Sequence, residues 1–313
     1  MWPRRLWFLG ISTILTLLSW EGLSFAQTET TVHTVQQGQT LGAIARRYRT
    51  SVDALCKANR IRKTDPIRPG QKLVVPNPQP PAQSTPTPSV RPDSEWQRDL
   101  QTLEVSGAPS AYYYEPAGPK RSGPRPVFMV LHGRGGNASE FCKRWAPIVR
   151  PMGWLVCPSA SHPYGAGQSW NNDWVTARRI VHATHAALRK AKGRRVQLTG
   201  NTLIGFSEGA FVGMNIGIRD PRMFNRWLIL AADDAYWGGE APQLIGRARS
   251  HLRRVYLITG KQDGVFDGTI RTQALLRNAR VPVFLSDPAD MGHEVALEKR
   301  RAMYQAALTW LQR

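Results

Sequence analysis

Three things are scarce in this chain of 313 residues, and each scarcity excludes something. Cysteine occurs only at Cys56, Cys142 and Cys157, which is too little for a disulfide scaffold or a cysteine-rich zinc module. Negative charge is short as well: 22 Asp and Glu stand against 42 Lys and Arg, a formal net charge of +20. The basic residues are spread through every segment, which implies attraction to polyanions without choosing among them. Long apolar sequence is the third absence. No stretch approaches the ~20 uninterrupted apolar residues that a bilayer span needs. No internal repeat is present either, so a solenoid is not expected. Apolar content of 42% still suits a packed core and excludes a disordered protein.

The N-terminus combines Arg4 and Arg5, the apolar run Leu6 to Trp20, and Ser24-Phe25-Ala26. That order fits a signal peptide over residues 1–26, cleaved after Ala26. The run is broken by Ser and Thr and is too short for a comfortable anchor, so no stable membrane span is expected after cleavage. The absence of a following cysteine excludes a bacterial lipoprotein. An exported chain, whether periplasmic, cell-wall-associated or secreted, makes nucleic acid an unsuitable natural partner. In an oxidising compartment Cys142 and Cys157 could pair, leaving Cys56 single inside an apolar helical pattern.

Residues 78–95 form a spacer rich in Pro, Ser, Thr and Gln, too poor in apolar surface to fold. It separates a small unit, 31–77, from a large one, 96–313. In the small unit Val32 to Val35 reads as a strand. Leu41, Ile44, Ala45 and Tyr48 then follow at helical spacing behind Thr40 as N-cap. A second short helix carries Val52, Leu55, Cys56 and Asn59 behind Ser51. Lys72 to Val75 closes the unit as a strand after the Pro69-Gly70 turn. The stretches HTVQQGQTLGAIARRY, LCKANRI and IRPGQKLVVP resemble a LysM domain over essentially the whole βααβ unit. The resemblance implies a shallow groove for N-acetylglucosamine-containing glycan, peptidoglycan or chitin. It would be lined by Gly38, Gln39, Thr40, Leu41, Ile67, Arg68 and Pro69. With only Asp53 and Asp65 against many Arg and Lys, such a unit suits an anionic cell wall.

From about Glu95 apolar strands alternate with amphipathic helices, which predicts a mostly parallel sheet with helices on both faces. Expected strands are Val127 to Leu131, Trp154 to Cys157, Leu203 to Phe206, Trp227 to Ala231, Val255 to Ile258 and Val281 to Leu285. Expected helices are Trp174 to Arg189, Gly209 to Ile218, Thr269 to Asn278 and Glu294 to Leu311. A hairpin through Leu103 and Ala111 to Tyr114 leads in.

Gly205-Phe206-Ser207-Glu208-Gly209 is a G-x-S-x-G match, weak on its own but placed between a strand and a helix, where a nucleophile elbow must lie. The turn lifts the Ser207 hydroxyl to a helix N-terminus, whose dipole favours developing negative charge. A serine needs a base to become nucleophilic, and on this arrangement acid and histidine follow it in the chain. Of the seven histidines only His251 and His293 come later. His251 precedes a strand. His293 follows the last strand and is the expected base. Asp263, ending the strand that starts at Val255, is the expected acid, with Asp267, Asp233 and Asp234 as neighbours. Leu131-His132-Gly133-Arg134-Gly135-Gly136 follows an early strand, so the backbone N–H groups of Arg134 and Glu208 are the expected oxyanion donors. His132 is expected to buttress that loop.

The sequences LHGRGG, GFSEGA, TGKQD and MGHE, in this order, resemble the α/β-hydrolase superfamily. The similarity extends to the esterases near polyhydroxybutyrate depolymerase, feruloyl esterase and dienelactone hydrolase. The implied fold is α/β. On it, Cys142 falls near the start of the helix after the oxyanion loop and Cys157 at the end of the next strand, both on the active-site side, which suits a disulfide. Tyr164, Trp170, Trp174, Tyr236 and Trp237 are candidates for a substrate wall or for loop packing. His182 and His185 are three apart on a helix without the further ligand a metal needs, so neither metal nor cofactor is expected. The sequence thus points to an exported serine carboxylic-ester hydrolase tethered to cell-wall glycan. A serine peptidase or amidase acting on wall peptides stands as the alternative, as does a glycan-binding protein with an inactive hydrolase domain.

Overall fold

The computed structural model describes residues 31–35, 41–48, 50, 52–62, 65, 67–76, 99–118 and 123–313. The chain divides into two compact units, residues 1–84 and 85–313. The expected signal peptide and spacer lie outside the described residues, as do the caps Thr40 and Ser51.

In the first unit β1 (Thr31–Thr34) pairs antiparallel with β2 (Lys72–Val75), Val32 facing Val74. Between them run α1 (Leu41–Arg47) and α2 (Val52–Asn59). Leu41, Ile44, Ala45, Leu55, Cys56, Leu73 and Val75 form a common core. Forty-odd residues bury little apolar surface, so polar fastening matters here. Asn59 provides it: its amide donates to Leu55 O and Val74 O and accepts from Val74 N, each at 2.7 Å, which ties α2 to β2.

The second unit is built on an eight-stranded sheet. Its strands are β3 (Gln101–Leu103), β4 (Ala111–Tyr114), β5 (Val127–Leu131), β6 (Trp154–Pro158), β9 (Asn201–Phe206), β10 (Phe224–Leu230), β11 (Arg254–Ile258) and β12 (Val283–Ser286). They lie in the order β12-β11-β10-β9-β5-β6-β4-β3. β5, β6 and β9 to β12 are parallel, and β3 and β4 form the antiparallel lead-in hairpin. β7 (His162–Tyr164) and β8 (Gly167–Ser169) make a separate hairpin that periodicity did not announce, because three-residue strands holding Pro163 and flanking Gly165 leave no pattern.

Every residue of β5 is buried, as a central parallel strand requires. Val127, Met129 and Leu131 point into one core, whereas Phe128 and Val130 point into the other. The first core is covered by α4 (Trp174–Lys192), α5 (Glu208–Arg219), α6 (Ala241–Ala248) and α7 (Phe266–Asn278). The second is covered by α3 (Ala138–Val149) and α8 (Arg301–Gln312). After β5 the chain goes to β6 on one side and then returns to β9 on the other. That reversal opens a crevice at the C-terminal ends of β5 and β9, where open α/β sheets hold their sites.

Several boundaries differ from the sequence reading by one to three residues: β9 starts at Asn201, α4 runs on to Lys192, α7 starts at Phe266 and β12 spans Val283–Ser286. Two more bear on the site or on the strand pattern. The last helix starts at Arg301 rather than Glu294, so His293 does not immediately precede it. Val295, Ala296 and Leu297 are all buried, but they lie in an irregular segment and turn that precede the helix. β10 starts at Phe224, ahead of Trp227, with the polar Asn225 and Arg226 interrupting its apolar run.

Candidate active site

Ser207 sits between β9 and α5 with φ 52° and ψ −123°, a conformation that costs a non-glycine residue on the order of 1–3 kcal/mol. Its N–H donates to Leu230 O (3.0 Å), and its carbonyl accepts from Ala210 and Phe211 (2.8 and 3.0 Å), so both neighbours hold the turn. The flanking glycines are required by space. A Cβ on Gly205 would come within 2.6 Å of Ala210 Cα, and one on Gly209 within 2.4 Å of the His132 carbonyl. The serine therefore stands at the N-terminus of a twelve-residue helix, where N–H groups lack intrahelical acceptors.

His293 bridges the serine and the aspartate. Its Nε2 lies 2.8 Å from Ser207 Oγ, and its Nδ1 lies 2.9 and 3.1 Å from the two oxygens of Asp263. The Asp263 side chain is 1% exposed and that of His293 46%, so the acid is shielded while the imidazole faces the crevice. Asp263 also accepts from Val265 N at 3.1 Å. The loop bearing His293 is laced to the loop bearing Asp263: Lys261 N donates to Pro288 O and Gln262 N to Met291 O. A Cβ on Gly260 would lie 1.8 Å from Met291 O, so this approach is open to glycine alone. The phenyl ring of Phe206 backs the imidazole, centroids 5.3 Å apart. The neighbouring acids stay out of this contact; Asp233 and Asp234 turn to the loop and helix α7 through Ala235 N and Thr272.

The loop after β5 is fixed from several sides. Gly135 N donates to Gln168 O and Gln168 N to Gly136 O, which seats the β7–β8 hairpin on it. A Cβ added to Gly133 would meet Phe206 and Ser207 Cβ at 2.9 and 3.3 Å, so the loop runs directly beside the serine. His132 is fully buried; its Nδ1 donates to Gly133 O at 2.8 Å, and Trp170 Nε1 donates to its carbonyl at 2.9 Å. Burial pushes its imidazole below the ordinary histidine value, outweighing the hydrogen bond to Gly133 and the charge of Glu208. His132 is thus a neutral strut.

Sequence reading missed the Glu208 side chain. It is buried, and its carboxylate accepts from Ser169 Oγ (2.9 Å), Trp170 N (2.9 Å), and Arg134 Nε and a terminal nitrogen (3.0 and 2.9 Å). The two residues expected to supply oxyanion donors are thereby joined through their side chains. An acidic residue between Ser207 and Gly209, with an arginine in the glycine loop, was the available signal.

Other expected residues fall elsewhere. Trp170 and Trp237 are buried packing groups, so they form no substrate wall. Trp174 lies under the Arg219 guanidinium, 4.0 Å from the centroid. Tyr164 borders the loop near Gly135 and Arg134, and Tyr236 packs on Phe211. His182 does have an acid beside it, Asp220 at 2.8 Å, which arrives from α5's end across the helix pair. His185 turns instead to Gln197 O. Cys142 and Cys157 are joined in a disulfide that ties α3 to β6. In the first unit, Gly38, Gln39 and Thr40 lie outside the described residues. The Leu41 side chain is buried in the core, which leaves its backbone rather than its side chain for a groove. Ile67 packs on that core, and Arg68 and Pro69 are exposed.

The pattern of the LysM domain matches residues 33–76. No curated protein matches the chain in sequence. Among solved structures, esterase PE8 superposes with a TM-score of 0.51 at 19% identity, over 67% of this chain and all of that one. A carboxylesterase from Mesorhizobium loti does so at 0.50 and 16%, over 67% of this chain and 99% of that one. Dipeptidyl peptidase 4 from Porphyromonas gingivalis reaches 0.52 at 16% over 68% of this chain, which spans only 35% of that larger protein. The large unit has the α/β-hydrolase fold. The chain accordingly joins a LysM domain to an α/β-hydrolase unit, and the Ser207 crevice sits at that fold's strand-order reversal.

Proposed function

We propose that the protein is an exported serine carboxylic-ester hydrolase, held on N-acetylglucosamine-containing wall glycan by its LysM domain. The observation that carries the enzymatic reading is the run of hydrogen bonds from Ser207 Oγ through His293 to buried Asp263. In this reading His293 Nε2 takes the Ser207 proton as Oγ attacks the ester carbonyl carbon. Asp263 orients the imidazole and stabilises its cation without being protonated. The oxyanion so formed accepts hydrogen bonds from the Arg134 and Glu208 backbone N–H groups. As the intermediate collapses, His293 returns the proton to the leaving alkoxide and the acyl group stays on Ser207. Water, deprotonated by His293, then releases the acid and restores the serine. No helix among the described residues is long and apolar enough to cross a membrane.

The test is turnover of p-nitrophenyl esters of graded acyl length by the wild type and Ser207→Ala. The substitution should remove at least ~1,000-fold of kcat. Ester turnover that survives it ends the assignment. Retention of the full chain on insoluble peptidoglycan or chitin at high salt tests the anchor, because salt removes the nonspecific attraction of a +20 chain. The same three side chains also permit amide cleavage, and peptidases share the fold. Peptidoglycan stem peptides belong in the assay for that reason.

A further inference from the structure

A cavity of about 940 Å³ in the α/β-hydrolase unit lies far from the crevice. It is walled by α4, the end of α5 and α6, and floored by the residues that enter β9, β10 and β11. Ser207 and Asp263 follow the other ends of β9 and β11. A six-residue strand separates the two ends by roughly 20 Å. A ligand here would leave the crevice open.

The lining is strongly one-sided in charge. Arg189, Arg219, Arg222 and Arg247 face the cavity, against the single carboxylate of Asp220. That carboxylate is already saturated: Arg178 grips both of its oxygens at 2.7 Å, and His182 lies 2.8 Å away. The arginines differ in how far they are engaged. Arg189 donates to Val196 O, and Arg219 is held by Asn215, by Trp174 and by the exposed Glu240 at 3.6 Å. Arg222 is exposed and donates its Nε to His251 Nε2 at 3.0 Å, and its terminal nitrogens make no hydrogen bond or ion pair among the described residues. Arg247 is exposed and makes no hydrogen bond or ion pair through its side chain among the described residues. Part of this clustering belongs to the ends of α4, α5 and α6, where cations complement the helix dipole. Yet the cations do not stop with the lining: exposed Lys190 and Arg194 follow Arg189 in the chain, and exposed Arg249 and Arg253 bracket His251. A track longer than the cavity suits a chain, not a single ion. Leu198, Met223 and Leu244 give the floor an apolar strip where an uncharged backbone could lie.

We propose that this cavity is the centre of a binding track for a linear polyanion, one bearing phosphate or carboxylate groups along its length. Arg222 and Arg247 make the direct contacts. The track gives the catalytic unit its own hold on an anionic surface polymer, independent of the LysM domain and of Ser207.

The test uses the full chain and two labelled probes, polyphosphate for the phosphate source and polygalacturonate for the carboxylate source, read by fluorescence polarisation at several salt concentrations. Arg222→Glu with Arg247→Glu is compared with Lys299→Glu with Arg301→Glu, which changes net charge equally near the start of α8 on the other face of the sheet. The first pair should weaken binding of at least one probe by about tenfold or more and flatten the salt dependence, since each lost contact releases fewer counterions. The second pair should change it by less than about threefold. Ester turnover of the first pair should match the wild type, which also shows that it folds. Equal weakening by both pairs would reduce the effect to net charge and overturn the proposal. Unchanged binding in the first pair would overturn it too. The milder Arg222→Gln with Arg247→Gln gives the same reading should the charge reversals impair folding.

Discussion

Replacing Glu208 with Ala should weaken catalysis without touching any of the three residues in the Ser207–His293–Asp263 contact. The carboxylate is the shared acceptor for Ser169 Oγ, Trp170 N and the Arg134 guanidinium. Its removal leaves the Ser169 hydroxyl and the Trp170 N–H buried with no acceptor, at about 1–3 kcal/mol each. Arg134 is different: its side chain is 41% exposed and can turn to water, so losing its partner adds little. The expected destabilisation is therefore about 2–6 kcal/mol, a lowering of Tm by roughly 4–24 °C for a unit of this size. The rate effect follows from what the ion pair holds. It spans from the residue after Ser207 to the middle of the glycine loop, so on the proposed mechanism its loss lets the Arg134 and Glu208 backbone N–H groups drift apart. Losing one donor outright costs about 100–1,000-fold in kcat, and misplacing one should cost roughly 10–100-fold. KM should stay within about threefold, because the donors engage the developing oxyanion rather than the ground-state carbonyl. Glu208→Gln keeps an oxygen acceptor and loses the charge, so it should fall between wild type and Ala. Steady-state kinetics on p-nitrophenyl butyrate, with circular dichroism to establish folding, decides it. A folded Glu208→Ala enzyme with kcat within about twofold of wild type would refute the reasoning.

Asp263→Asn should preserve the fold yet lower kcat by about 1,000–10,000-fold, since an amide cannot stabilise the imidazolium at Nδ1; single-turnover ester cleavage measures this. Replacing Cys142 and Cys157 together by Ala should cost about 3 kcal/mol in urea unfolding, the value for a closed loop whose ends are 15 residues apart. Asp220 gives a pH signature. Burial would raise its carboxyl, but hydrogen bonds and charge from Arg178 and His182 outweigh it and hold it at about 2, below the ordinary 3.8. A depressed carboxyl stabilises the folded state above its unfolded value, and the benefit is lost as pH falls from 3.8 toward 2. Wild type should therefore exceed Asp220→Asn by on the order of 1 kcal/mol near pH 6, allowing for solvent screening, and the gap should close by pH 2. Thermal melts across that range check it. Gly260→Ala should disable the enzyme from outside the hydrogen-bonded triad, because its methyl group would collide with Met291 O and shift the loop carrying His293; kcat below about a hundredth of wild type is expected.

The linear chain determined much of this protein. Parallel strands buried on both faces show as unbroken apolar runs, so the β5 run Val127 to Leu131 was legible and its boundaries held. That Ser207, Asp263 and His293 come together was legible because their order along the chain and their places after strands follow from connectivity alone. The LysM domain was legible because a small unit must concentrate its signals in few residues. What stayed hidden depends on contacts between distant segments. Glu208 reads in sequence as a polar residue at a helix start; only the packing of the β7–β8 hairpin and the glycine loop around it makes it a buried acceptor. The start of α8 misled because the residues upstream of it are apolar at helical density, whereas the structure buries Val295, Ala296 and Leu297 in an irregular segment and turn ahead of Arg301. The arginine track is dispersed over three helices and the strand entries, and only the fold gathers it onto one edge. Sequence order fixes which groups follow which strand. Distances between groups dozens of residues apart are decided by tertiary packing alone.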